Sequence, residues 1–134
     1  MKKIILFIVL LISACANPAP NFSPDGNSLP NGIVNQTYFS EVEITNAVLF
    51  KENIDVDILP PESGLKWSPE VITLKRGGQE REEADYHRII ISGTPKKIGE
   101  ILIHINGYSM GTSRPGREID KTYIIRISDD AAMR

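Results

Sequence analysis

Cysteine occurs once in these 134 residues, tryptophan once and histidine twice, and aromatic residues make up only 7%. A lone cysteine excludes an intrachain disulfide framework and every zinc site built on several cysteines. Neither sign of charge predominates: 15 basic against 17 acidic side chains give a formal net charge of −2. The chain therefore has no broad basic field of the kind nucleic-acid binding requires. There is no internal repeat, and the length allows one domain, too little for a doubly wound or barrel enzyme of ordinary size. What is present, 24% charged and 41% hydrophobic residues, fits a folded domain and not a disordered chain.

The one long apolar run lies near the start. Lys2 and Lys3 precede Ile4 to Ile12, nine consecutive apolar residues, and then Ser13-Ala14-Cys15-Ala16. Charged, hydrophobic and small-residue regions in that order make a secretory signal, and nine residues fall far short of the roughly 20 of a spanning helix. Residues 1–14 are read as the signal peptide. The segment 15–29 carries Pro18, Pro20 and Pro24 among Asn and Ser, with Pro30 directly after it. Proline removes backbone donors and fixes φ, so this segment is expected to be an extended tether. Without residues 1–14, 13 basic and 17 acidic side chains remain, a net charge of −4.

Leu11-Ile12-Ser13-Ala14-Cys15 resembles the lipobox of bacterial lipoproteins. The resemblance implies that Cys15 becomes the first mature residue and carries a thioether-linked diacylglycerol. Two or more acyl chains, each contributing about 0.8 kcal/mol per buried CH₂, hold a protein at a membrane essentially permanently. Ala16 after the cysteine, where an aspartate would signal otherwise, implies an outer-membrane address in the cell envelope of a diderm bacterium.

From Gly32 onward the hydrophobic period is two, that of half-buried strands. Tyr38, Val42 and Ile44 oppose Glu41 and Glu43; Ile54, Val56 and Ile58 alternate with Asp55 and Asp57. Ile101, Ile103 and Ile105 face away from His104 and Asn106, and Tyr123, Ile125 and Ile127 alternate with Arg126 and Ser128. Val71–Leu74 is a short β-branched run and Tyr86–Ser92 an Ile-rich one. Pro60-Pro61, Gly77-Gly78, Gly93-Thr94-Pro95, Gly99, Gly107 and Pro115-Gly116 separate these runs. The pattern predicts an all-β antiparallel sandwich of about seven strands over 30–128, with 129–134 a short tail. Trp67 is expected in its core.

Ile90-Ile91-Ser92-Gly93-Thr94-Pro95 through Ile98-Gly99-Glu100-Ile101 resembles the "isGTP…aGty" signature of immunoglobulin-like, cadherin-like domains of bacterial surface proteins. Leu29–Tyr38 is similar to that family's opening segment, and Pro60-Pro61 with Gly64-Leu65 to its central "lPpGL" element. The three matches come in family order and span Leu29 to Ser128. The stretch from Trp67 to Tyr86 is longer and more charged than the family's short link, which implies an inserted hairpin. Fold membership of this kind says little about function.

His87 and His104 both fall in strand-like segments, where surface positions are expected of them. A two-histidine zinc site would need their strands to pair. Asp55 and Asp57 project from one sheet face and are read as a solvated surface, with acid–base work or calcium binding the sharper alternative. Lys75 to Glu83 mixes both signs and reads as a solvated hairpin tip. The loop Gly107 to Arg117 joins the last two strands, where variable immunoglobulin domains carry their main binding loop. Tyr, Met and Arg are favoured at interfaces, so Tyr108, Met110, Arg114 and Arg117 are the candidate partner-binding residues. No catalytic set, metal site or cofactor is expected. The function that follows is a lipid-anchored, non-enzymatic envelope module that binds a protein partner. A carbohydrate- or peptidoglycan-binding lipoprotein is the alternative, and an accessory subunit of an envelope enzyme or secretion complex a further one.

Overall fold

The computed structural model describes residues 19–111 and 116–129. Eight strands follow one another: β1 (Asn21–Ser23), β2 (Gly32–Ile33), β3 (Tyr38–Thr45), β4 (Ile54–Leu59), β5 (Leu65–Arg76), β6 (Gln79–Gly93), β7 (Gly99–Tyr108) and β8 (Glu118–Ser128). They form two four-stranded sheets, β1-β3-β6-β5 and β2-β8-β7-β4. All neighbours are antiparallel except β2 and β8. With β1, β3, β6 and β5 opposite β4, β7 and β8, the strand order is that of an immunoglobulin constant-type sandwich. β2 adds a two-residue edge to the second sheet.

Strict alternation decides which face is buried. In β3, Tyr38, Ser40, Val42 and Ile44 point inward while Phe39, Glu41, Glu43 and Thr45 meet solvent. The core is completed by Ile54 and Val56 of β4, Leu65 of β5, Ile89 and Ile91 of β6, Ile101, Ile103 and Ile105 of β7, and Tyr123, Ile125 and Ile127 of β8. Trp67 packs against it, half-buried. Isoleucine and valine suit this setting because their branched Cβ fits the pleated surface. With no disulfide to help, this apolar layer carries the fold.

From Asn21 onward the segment expected to be an extended tether is docked on the domain. Residues 21–23 pair with β3 as a strand, Ser28 bridges to Ile124, and Leu29 is buried. Two phenols explain the docking. Tyr123 donates its hydroxyl to the Pro24 carbonyl at 2.7 Å, and Tyr38 donates to the Pro30 carbonyl at 2.8 Å. A buried Tyr O–H needs an acceptor, and prolines, which lack N–H but keep C=O, supply one without demanding a donor in return.

Burial, with the nearby Asp25 carboxylate, pushes the Tyr123 phenol up to about 12. The unfolded chain releases this proton near pH 10, whereas the folded chain holds it to about pH 12. Stability therefore keeps its neutral-pH value with respect to this group below pH 10 and falls by about 3 kcal/mol between pH 10 and 12, at 1.36 kcal/mol per unit. Tyr123→Phe should cost about 1 kcal/mol at neutral pH through the lost hydrogen bond. It should also flatten the fall in stability between pH 10 and 12 seen in denaturant titrations of the parent. An alkaline limb identical in both proteins would contradict this assignment.

The expected inserted hairpin is present and longer than the short Val71–Leu74 run implies. β5 and β6 stay paired from Leu65–Gly93 out to Arg76–Gln79, closed by Gly77 and Gly78 at φ of +60° and +78°. The register jumps between Pro69 and Glu70: Pro69 faces Ile89 while Glu70 faces Asp85, so Tyr86, His87 and Arg88 bulge. β3 pairs with β6 only as far as Arg88. Beyond that point residues 70–84 form a two-stranded ribbon in which no residue is fully buried. Charged residues extend the strands here because neither face has a core to serve.

Candidate functional site

Two loops meet at the end of the sandwich where β3 and β7 finish. Residues 46–53 connect β3 to β4, starting at Asn46 in the left-handed region (φ +59°), which asparagine tolerates better than most residues. Residues 109–117 connect β7 to β8. Backbone hydrogen bonds lace the two together: Met110 N–H to the Val48 carbonyl at 2.8 Å, and Tyr108 N–H to the Asn53 carbonyl at 3.0 Å. The second loop is closed on itself by Ser109 N–H to the Arg117 carbonyl at 2.9 Å and Arg117 N–H to Ser109 Oγ at 3.0 Å.

Each loop contributes a three-residue arm whose middle side chain is buried and whose flanks point out. Leu49 is buried between Val48 and Phe50, and Ser109 between Tyr108 and Met110. Val48, Phe50, Tyr108 and Met110 are exposed at 45%, 51%, 61% and 48%. Four exposed large apolar side chains therefore stand on two arms joined by backbone hydrogen bonds, unlike singly scattered surface hydrophobes. Gly107 makes the junction possible: at φ +150° its missing Cβ leaves room for the Asn53 carbonyl.

The bulge braces the first loop. His87 Nε2 lies 2.7 Å from the Ala47 carbonyl and Nδ1 lies 2.9 Å from Asp85 Oδ1. Both neighbours are acceptors, so only the doubly protonated ring donates to both. Burial raises the Asp85 carboxyl, but the His87 backbone N–H, its ring and Arg88 outweigh this and hold it below its ordinary value. The N-terminal segment joins the domain at this same pole, since Asn21 of β1 lies opposite Thr45, the last residue of β3.

Of the residues expected to bind a partner, Tyr108 and Met110 are both exposed on the patch. Arg117 is exposed at its margin, its backbone held by Ser109. Arg114 and Cys15 lie outside the described residues. Val48 and Phe50 were not expected. The run Val48-Leu49-Phe50 carries no period, and only the hydrogen bonds from the other loop turn its flanks outward beside Met110.

The sharper alternatives find no geometry. His87 lies on β6 in the first sheet and His104 on β7 in the second, so the two histidines do not share a pair of strands. His104 Nε2 lies at donor distance, 2.7 Å, from the Asp120 carboxylate, and Asn106 donates to Asp57 at 3.2 Å, all on the exposed face of the second sheet. Among the described residues no group of three His, Cys, Asp or Glu is arranged to hold a metal ion. Gly107-Tyr108-Ser109-Met110-Gly111 does spell G-x-S-x-G. Yet among the described residues no helix follows this strand, as the nucleophile elbow requires, and Ser109 Oγ is buried against the Arg117 backbone.

No protein-family model matches the sequence, and no curated protein matches it. Among solved structures the fold is similar to the SrpA adhesin from Streptococcus sanguinis: TM-score 0.54, 13% identity, with 90% of this chain and 62% of that chain covered. A point mutant of the same adhesin matches equally, at 12% identity, TM-score 0.54, and 90% and 63% coverage. The chain thus spans less than two thirds of the adhesin it resembles, and at this identity the likeness shows the fold: an all-β sandwich of a kind found in a bacterial surface protein.

Proposed function

We propose that this chain is a lipid-anchored envelope protein whose single immunoglobulin-like domain binds a protein partner without catalysing a reaction. The observation that carries the reading is the apolar patch of Val48, Phe50, Tyr108 and Met110 on two interlocked loops at one pole. A similar fold in a bacterial adhesin and the three sequence segments resembling bacterial surface immunoglobulin-like domains support it. Lipidation of Cys15 rests on the lipobox-like segment. Cys15 is six residues before Asn21, a reach of about 20 Å when fully extended. An anchor there holds the patch pole close to the lipid headgroups, which favours a partner embedded in or lying along the same membrane.

Cys15→Ala should abolish lipid attachment, leaving the chain unprocessed at its usual site and recovered in the soluble fraction after cleavage elsewhere or retained by its uncleaved signal. Metabolic labelling with an alkyne fatty acid checks this, and label incorporated equally into both forms would overturn the anchor. The exposed rings of Phe50 and Tyr108 give a glycan reading a foothold, because flat aromatic faces stack on sugars. Sedimentation with purified murein at parent-like yield, lost on Tyr108→Ala, would favour that reading over a protein partner.

A further inference from the structure

The four sheet edges of this sandwich are not equally protected. β1 and β2 have three and two residues, and β4 carries Asp55 and Asp57 along its outer edge. The sandwich part of β5 contains Pro69 and ends in the bulge. Short edges, charges, prolines and bulges are the devices by which strands avoid pairing with other chains. The distal half of β5, Glu70-Val71-Ile72-Thr73-Leu74-Lys75-Arg76, has neither proline nor bulge, and β-branched residues fill its centre. It ends its sheet among the described residues, and Val71 is 61% exposed.

We propose that this edge pairs with the same edge of a second copy of the chain, antiparallel and centred on Thr73. The charge pattern selects that occupant. An antiparallel copy in this register sets Glu70 opposite Arg76 and Ile72 opposite Leu74, each pairing made twice by the two-fold axis, with Thr73 opposite itself on the axis. Opposite charges and apolar residues directly across a strand pair stabilise it, whereas a parallel copy would place like on like. Arg76 faces Gln79 within its own ribbon, so its charge is available to the other copy, and Glu70, 3.4 Å from Arg88 Nε of its own chain, shares its carboxylate between the two guanidinium groups.

The backbone agrees. Positive φ at both Gly77 and Gly78 makes the turn a two-residue type I′ hairpin. Its flanking pair, Arg76 and Gln79, is therefore hydrogen-bonded, and bonded and non-bonded pairs alternate from there. Arg76, Leu74 and Ile72 spend their backbone groups inside the ribbon, and Lys75, Thr73 and Val71 turn theirs outward. In the proposed register Thr73 meets Thr73, and Val71 meets Lys75, so outward donors meet outward acceptors throughout. Growth stops at two copies. The other free edge, on β6, holds Glu80, Glu82, Glu83 and Asp85 against the single Arg81, an acidic excess that repels its own copy. The patch loops lie on the β6 side, where His87 meets Ala47, so this pairing neither needs nor covers them.

A symmetric crosslink tests the register in the full chain in intact cells. Directly opposed residues of a bonded antiparallel pair have Cα atoms about 5.5 Å apart, within disulfide range. Thr73→Cys should therefore give a disulfide-linked homodimer under mild oxidation. Lys75→Cys alone should give at least about tenfold less, because its own equivalent lies about 13 Å away along the strand. Co-expressed Val71→Cys and Lys75→Cys chains should link to each other. Arg76→Glu in the Thr73→Cys background should lower the yield about tenfold by setting like charges opposite twice. Equal yields at positions 73 and 75, no dimer at 73, or an adduct whose mass is not twice the chain would each overturn the proposal.

Discussion

Gly107→Ala should lower the midpoint of thermal unfolding by about 15 °C. Gly107 sits at φ +150°, and a Cβ there would fall on the Asn53 carbonyl oxygen. That oxygen is also the acceptor for the Tyr108 N–H, so the loop cannot move away without leaving a donor unpaired. Backbone strain of roughly 1–3 kcal/mol adds to a lost hydrogen bond of about 1 kcal/mol and to the displacement of residues 46–53. The sum, about 4 kcal/mol, is a large part of the roughly 5–15 kcal/mol that holds a domain folded. At about 4 °C per kcal/mol for a chain of this size, melting followed by circular dichroism reads it directly. A fall of less than about 3 °C would mean that the loop junction is soft, and the patch then loses its rigid base.

The second large effect concerns binding with stability held constant. Phe50→Ser combined with Met110→Ser removes two of the four exposed apolar side chains while leaving Leu49 and Ser109 in place beneath them. Surface changes away from caps, strain and networks stay within about 0.5 kcal/mol of the parent stability. Buried aromatic and sulfur-containing anchors at an interface contribute about 2 kcal/mol each when truncated. Affinity for the envelope partner should therefore fall by roughly a thousandfold, while the melting temperature stays put. Quantitative co-purification of crosslinked complexes measures the first and a thermal melt the second. Partner recovery at parent levels would remove the patch from the function.

Much of the sandwich is readable from alternation. Tyr38, Val42 and Ile44 against Glu41 and Glu43, or Ile101, Ile103 and Ile105 against His104 and Asn106, already say which face is inside, because one face of each strand must be buried. Two things were hidden for the same reason, that they depend on partners far along the chain. Pro24 reads as a tether residue and Pro30 as the boundary after it until Tyr123 and Tyr38 arrive as donors to their carbonyls. Phe50 reads as a loop residue until Met110 bonds to Val48. Tyr108 and Met110 were visible by residue type in a loop between final strands, but their neighbours were not. The separation of His87 from His104 likewise follows from which sheet each strand joins, which no local pattern encodes. The ribbon was legible as an insertion and a Gly-Gly turn; its length was not, since solvent on both faces removes the alternation that marks a strand.

The proposed function turns on the pole that carries Val48, Phe50, Tyr108 and Met110 being where a protein of the envelope binds. A photo-crosslinking amino acid placed at position 110 of the full chain, activated in intact cells, tests it most directly, with the same group at Phe39 on the outer face of the first sheet as its control. Phe39 is the more open to solvent, 61% exposed against 48% for Met110, so exposure alone favours the control. The expected result is one discrete adduct with a different protein at position 110, and none of that mass at position 39. Adducts of the same pattern and yield at both positions would contradict the account.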